Sequence, residues 1–245
     1  MLTRAAGPGV SSAMAKVFSE WTVLPHDPIE RVADNLWRVT GMMGAIQRQM
    51  VLARMADGRV VVDNAIALDE PGMAELERWG EPAILIVPNG YHRQDARIWK
   101  QRYPRIAVVA PPRGKRRIEQ VVRVDHLTTD APGDATVRVV PMDGCANDTL
   151  LEIRSGDDVT LAFCDAVLNL PPRKGLWGFM LAPTGTVSTP RIQRWMGMQD
   201  KRAFAGHLER LAATPGLRRL LFGHGRPVTD DAPAALRQVA RQLTA

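Results

Sequence analysis

The chain has 245 residues, of which 45% are hydrophobic and 24% charged, and a net charge of +6. That is the make-up of an ordinary globular protein long enough for one large α/β core, and no apolar run approaches the ~20 residues that would argue for a membrane-spanning helix. Two cysteines, Cys145 and Cys164, are too few for a disulfide framework, and no segment resembles a secretory signal, so a cytoplasmic location and no membrane partner are expected.

Residues 1–20 mix Gly, Ser, Ala and scattered charges without a period and are expected to form a loose arm, with a single domain over residues 21–245. From Asn35 the pattern becomes that of short strands: Leu36–Val39, Met50–Met55, an Asp57-Gly58 turn, and Val60–Val62. Met73, Leu76 and Trp79 recur at three-residue spacing, which predicts a short amphipathic helix over Pro71–Trp79, closed by Gly80. Ala83–Val87 is uniformly apolar and suits a strand buried on both faces. A helix over Asp95–Tyr103 and a buried strand over Ile106–Ala110 repeat the unit.

Arg113, Lys115, Arg116 and Arg117 then form the densest basic cluster, read as a solvated face. Aromatic residues are only 5% of the chain and none interleave with these charges, which argues against nucleic acid as a partner. The second half predicts strands at Val137–Val140, Leu150–Ile153, Val159–Phe163 and Leu220–Phe222, helices at Lys201–Ala213 and Pro233–Leu243, and a long Pro- and Gly-rich loop over Leu170–Thr189.

Five segments, in order, carry a resemblance: Val60-Val61-Val62-Asp63-Asn64; Pro88-Asn89-Gly90-Tyr91-His92-Arg93-Gln94-Asp95 after a buried strand; Asp143-Gly144-Cys145-Ala146-Asn147-Asp148-Thr149; Phe163-Cys164-Asp165; and Phe222-Gly223-His224-Gly225. In position and sequence they resemble the conserved turns of the metallo-β-lactamase superfamily. The resemblance spans residues 35–228 and implies a four-layer αββα sandwich of α/β class. Each segment is weak alone, and their joint order carries the likeness.

The departures bear on function. The second segment lies where the superfamily has His-x-His-x-Asp-His, and there Asn89, Tyr91, Arg93 and Gln94 replace the metal ligands, while Cys145 falls on the histidine of the third turn. Asp165 and His224 match their counterparts. The resemblance therefore implies metal ligands Cys145, Asp165 and His224, with His92 as a fourth if its loop turns inward, enough for one zinc or iron but not for two metals. For Cys145 the bland alternative is a buried core thiol; for Asp165 it is an ion pair with Arg93.

Two functions stand. In the first, which the replaced ligands favour, a degenerate pocket has lost dinuclear metal hydrolysis and binds a small ligand or partner or is simply structural, with no metal. In the second, a mononuclear hydrolase acts on an ester, thioester or lactone, with Asp63 or Asp165 accepting a proton and Tyr91 and Arg93 stabilising an oxyanion. The basic charge favours a small anionic ligand or substrate. A third idea makes Cys145 a nucleophile with His224 or His92 as its base. His26, His126 and His207 have no constellation around them.

Overall fold

The structure, a computed structural model, describes residues 17–44 and 46–244. Most of the expected arm thus lies outside the described residues. Its end does not: Phe18 is buried, and its amide donates to the Gln94 carbonyl at 3.0 Å.

Seven strands build the first sheet: β1 (Glu30–Ala33), β2 (Leu36–Met43), β3 (Ile46–Arg54), β4 (Arg59–Asp63), β5 (Glu81–Ile86), β6 (Ala107–Ala110) and β7 (His126–Leu127), lying in sequence order. β1 to β4 pair antiparallel and β4 to β7 parallel. The change follows from the connections, since a tight Asp57-Gly58 turn joins antiparallel neighbours while parallel ones need a crossover. Helices α1 (Glu70–Trp79) and α2 (Ala96–Arg102) supply two crossovers. α1 starts where the Asp69 carboxylate accepts the Gly72 amide and Pro71 occupies the first turn, and it buries Met73 and Leu76.

The second sheet runs β11 (Leu217–Phe222), β10 (Asp158–Phe163), β9 (Leu150–Ser155), β8 (Val137–Val139), with β10 and β11 parallel. α3 (Lys115–Ile118) lies between β6 and β7. α4 (Gly175–Met180) sits within the predicted loop, and a π-helical turn over Gln193–Gly197 leads to α5 (Lys201–Ala212). α6 (Ala232–Thr244) closes the chain.

The core divides into three slabs. Leu36, Val51, Val61, Ile84 and Ile86 of the first sheet meet Val137, Leu151, Ile153, Ala162 and Leu221 of the second, which places the sheets face to face. The outer face of the first sheet packs Val62, Leu85 and Val108 on Met73, Leu76, Ile98 and Trp99 of α1 and α2. That of the second packs Leu161, Phe163 and Phe222 on Phe204 and Leu208 of α5 and Leu236 and Val239 of α6. Helix, sheet, sheet, helix is the expected four-layer sandwich, and strands buried on both faces explain the uniformly apolar runs. Among the described residues no helix is long and apolar enough to cross a membrane.

Candidate metal centre

The chemistry-bearing loops leave the carboxyl ends of strands, where open α/β sheets leave a crevice. Asp63 ends β4, the Asn89–Asp95 loop follows β5, Asp165 lies two residues past β10 and His224 two past β11. One main-chain bond ties the two sheets here, the Gln49 amide donating to the Gly223 carbonyl at 2.9 Å.

His92, Asp165 and His224 converge: each offers one ligand atom, and the three atoms lie within 4.8 Å of one another. His92 Nε2 is 3.1 Å from Asp165 Oδ2, His224 Nε2 is 3.5 Å from Asp165 Oδ1, and the two Nε2 atoms are 3.2 Å apart. The other ring nitrogens are engaged from behind. His224 Nδ1 faces the Gln47 carbonyl at 2.5 Å, which can only accept, so Nδ1 carries the proton. His92 Nδ1 lies 2.8 Å from Asn64 Oδ1, whose own amide group donates to the Gln49 carbonyl at 2.7 Å and so turns the oxygen toward the ring. Both imidazoles thereby turn Nε2 toward the carboxylate with Nδ1 engaged from behind, the ring orientation metal-binding histidines use.

Asp165 is itself positioned. Asn89 donates to its Oδ2 at 2.9 Å, and the buried Asp148 carboxylate accepts the amides of Asp165 and Ala166 at 2.7 and 2.5 Å. Burial works to raise its pKa, but the charge and hydrogen bond of His92, then His224 and Asn89, outweigh it and hold Asp165 well below the usual carboxylate range. For His92, burial opposes the charge and Asp165 restores it, leaving the imidazole above its ordinary value. Burial dominates at His224 and lowers it. In the metal-free protein these opposite shifts favour a proton on His92, facing Asp165, over one on His224. Two imidazole nitrogens and a carboxylate are a fitting donor set for a divalent transition metal such as zinc or iron.

The remaining residues singled out in the sequence lie differently. Cys145 is fully buried among Phe163, Phe204 and Leu208, with Asn147 Oδ1 3.5 Å from its sulfur; burial first, and the Asp148 charge next, push its thiol well above the ordinary range. No imidazole touches it among the described residues, and it is not in the converged set. Arg93 is buried with its guanidinium committed to the Arg117 carbonyl and to Gln120 Oε1, so the Asp165 ion pair forms with His92 instead. Tyr91 is 56% exposed beside His92. Gln94 is buried, its amide donating to the Tyr91 carbonyl. Asp63 is buried with Oδ1 unpartnered, and burial, then the Asp148 charge, push it up to about 7.

Sequence reasoning missed Asn64, Gln49, Asp148 and the role of Asn89. For the first two the sequence offered little: Gln49 directly precedes the apolar Met50–Ala53 run and Asn64 directly follows a strand, and only the structure shows Gln49 buried and Asn64 at φ 56°, a left-handed conformation asparagine tolerates. Arg48 pairs with the equally buried Asp95 at 2.6 Å, which also accepts the Ala67 amide, and this pair anchors the far end of the His92 loop.

No family model matches the chain, and no curated protein matches it in sequence. Among solved structures it is similar to the DIM-1 metallo-β-lactamase exposed to ceftazidime, at 14% identity over 90% of this chain and 99% of that one, with a TM-score of 0.60. The likeness shows the fold: the chain is a divergent metallo-β-lactamase-fold protein.

Proposed function

We propose that this protein is a mononuclear metal-dependent hydrolase in which His92, Asp165 and His224 hold one zinc or iron ion, acting on an ester, thioester or lactone. The observation that carries the reading is the convergence of two Nε2 lone pairs and a carboxylate within 4.8 Å, each ring turned by a fixed acceptor behind it. Unprotonated nitrogens 3.2 Å apart repel unless a cation lies between them or one takes a proton. A bound divalent ion supplies Lewis acidity, acidifying water and polarising an acyl oxygen.

The chain's own residues supply the rest. Asn64, the Gln47 carbonyl and Asn89 hold the ligands in orientation. Tyr91, exposed beside His92, is the hydroxyl donor for an oxyanion. Asp63, with a pKa near neutrality, is the proton acceptor. Arg93 holds the main chain of α3 instead of meeting substrate. Cys145 is core in this reading, and the metal needs no thiolate.

A second reading has one observation in its favour. The His92–Asp165 ion pair balances the site's charge without a metal, as a degenerate pocket that binds a ligand would allow. Elemental analysis of protein purified without a metal-affinity tag separates the two. The hydrolase reading expects about one zinc or iron per chain, lost in His224→Ala and kept in Cys145→Ser. A metal-free wild type that also fails to take up added zinc overturns it in favour of the second.

A further inference from the structure

The basic cluster seen in the sequence stands next to the site. Gly90 and Tyr91, one and two residues before His92, pack directly on Arg117: its guanidinium carbon lies 4.2 Å from the centre of the Tyr91 ring. A side chain at Gly90 would bring a Cβ within 2.7 Å of Arg117 Cδ, so the close approach relies on glycine. From behind, the buried Arg93 guanidinium grips the Arg117 carbonyl and bonds Gln120. On the other side, the Arg113 amide donates to the Ala146 carbonyl at 3.1 Å, joining the cluster to the loop whose Asp148 holds Asp165. The cationic segment thus spans the loop carrying His92 and the loop bracing Asp165.

Arg117 has no salt-bridge partner and makes no side-chain hydrogen bond to protein among the described residues, and the same holds for Arg113 and Arg116. Lys115 differs, being paired with Glu119. A guanidinium held over an aromatic ring makes no hydrogen bond to it and keeps its N–H groups for the two oxygens of a carboxylate or phosphate. Tyr91 is mostly exposed, and Asp165 and His224 are reached by solvent at 17% and 18% of their side-chain surface, so ring, guanidinium and ligands open on the outside.

We propose that Arg117, laid on Tyr91 and flanked by Arg113 and Arg116, is a recognition site for an oxyanion group, carboxylate or phosphate, on the molecule that the His92–Asp165–His224 site acts upon. This rests on the hydrolase reading and narrows it to esters, thioesters or lactones carrying a negative charge away from the reacting carbonyl. Arg93, beneath the carbonyl of Arg117, is a positioning residue for that site.

The test is isothermal titration calorimetry at low ionic strength with two probes, inorganic phosphate and succinate, on untagged wild type, Arg117→Gln, Arg117→Lys, Arg105→Gln and His224→Ala. Arg105 is exposed and paired with Glu81 far along the chain, so its variant removes one positive charge without touching the cluster. The expected result is that the better-bound probe, which names the anion, binds about tenfold more weakly to Arg117→Gln, is partly restored in Arg117→Lys, and is unchanged in Arg105→Gln and His224→Ala. Circular dichroism melting confirms that the half-buried position has not been replaced at the expense of folding. Equal binding by Arg117→Gln and Arg105→Gln, or no binding of either probe to the wild type, overturns the proposal. Loss in His224→Ala alone overturns it too, because a metal would then be holding the anion. Retention in His224→Ala together with a metal-free wild type leaves the anion site standing and removes the hydrolase.

Discussion

Two sides of one crevice hold the candidate site by different means. The loops after β10 and β11 each bring one candidate ligand, Asp165 and His224, on short excursions from parallel strands whose registers align Phe163 with Phe222. The loop after β5 brings His92 alone, and most of its remaining residues have become scaffold: Asn89 donates to Asp165, Arg93 and Gln94 bond main-chain carbonyls, and Asp95 pairs with Arg48. The loop is held by hydrogen bonds and one buried ion pair. The difference teaches that a loop can offer a single candidate ligand and spend its other polar side chains on holding itself, because amide, guanidinium and carboxylate groups there satisfy one another and the main chain.

The comparison breaks most sharply at Arg48. Arg48→Met strands Asp95 as a buried, unpaired carboxylate and is expected to cost about 3–5 kcal/mol, read as a lower urea midpoint; a loss under 1 kcal/mol would mean that the loop is held by something else.

Asp63 comes next. Its folded pKa of about 7 lies above the value of an unfolded aspartate, so the folded state keeps a proton that the unfolded state has already lost. Stability therefore falls as pH rises from about 4 to 7, by up to about 4 kcal/mol for three units. Asp63→Asn should remove that fall, raising the melting temperature of metal-free protein more at pH 8 than at pH 5; an equal change at both would show that Asp63 titrates normally.

Asn64 sharpens the claim that His92 is oriented from behind. Asn64→Gly keeps the positive φ and deletes the acceptor, and zinc affinity by competition with a chelating dye should drop about 10- to 100-fold. Unchanged affinity would leave the ring free to orient itself. Cys145→Ala is expected to have the smallest effect, about 1 kcal/mol of lost packing with metal uptake untouched, and reduced uptake would return the thiol to the ligand set.

From sequence alone, the periods and turn residues were enough to place most strands and helices, because Asp57-Gly58, Pro71 and the doubly buried runs such as Ala83–Val87 are local consequences of local chemistry. β1, β7 and α4 were not legible: the first two are short edge strands with little buried side chain, and α4 is six residues rich in glycine and aromatics. The sequence also named His92, Asp165, His224 and Cys145 as a group, and it could not divide them. Whether His92 faces inward depends on Asn64, 28 residues away, and whether Cys145 faces the crevice or the core depends on how Phe204 and Leu208 of α5 pack against it. Those are contacts between distant segments, and only the tertiary structure brings them together. The basic cluster divides in the same way: Arg113 and Arg116 are exposed, as the solvated face expected from the sequence, while the packing of Arg117 against Gly90 and Tyr91 is a contact between distant segments.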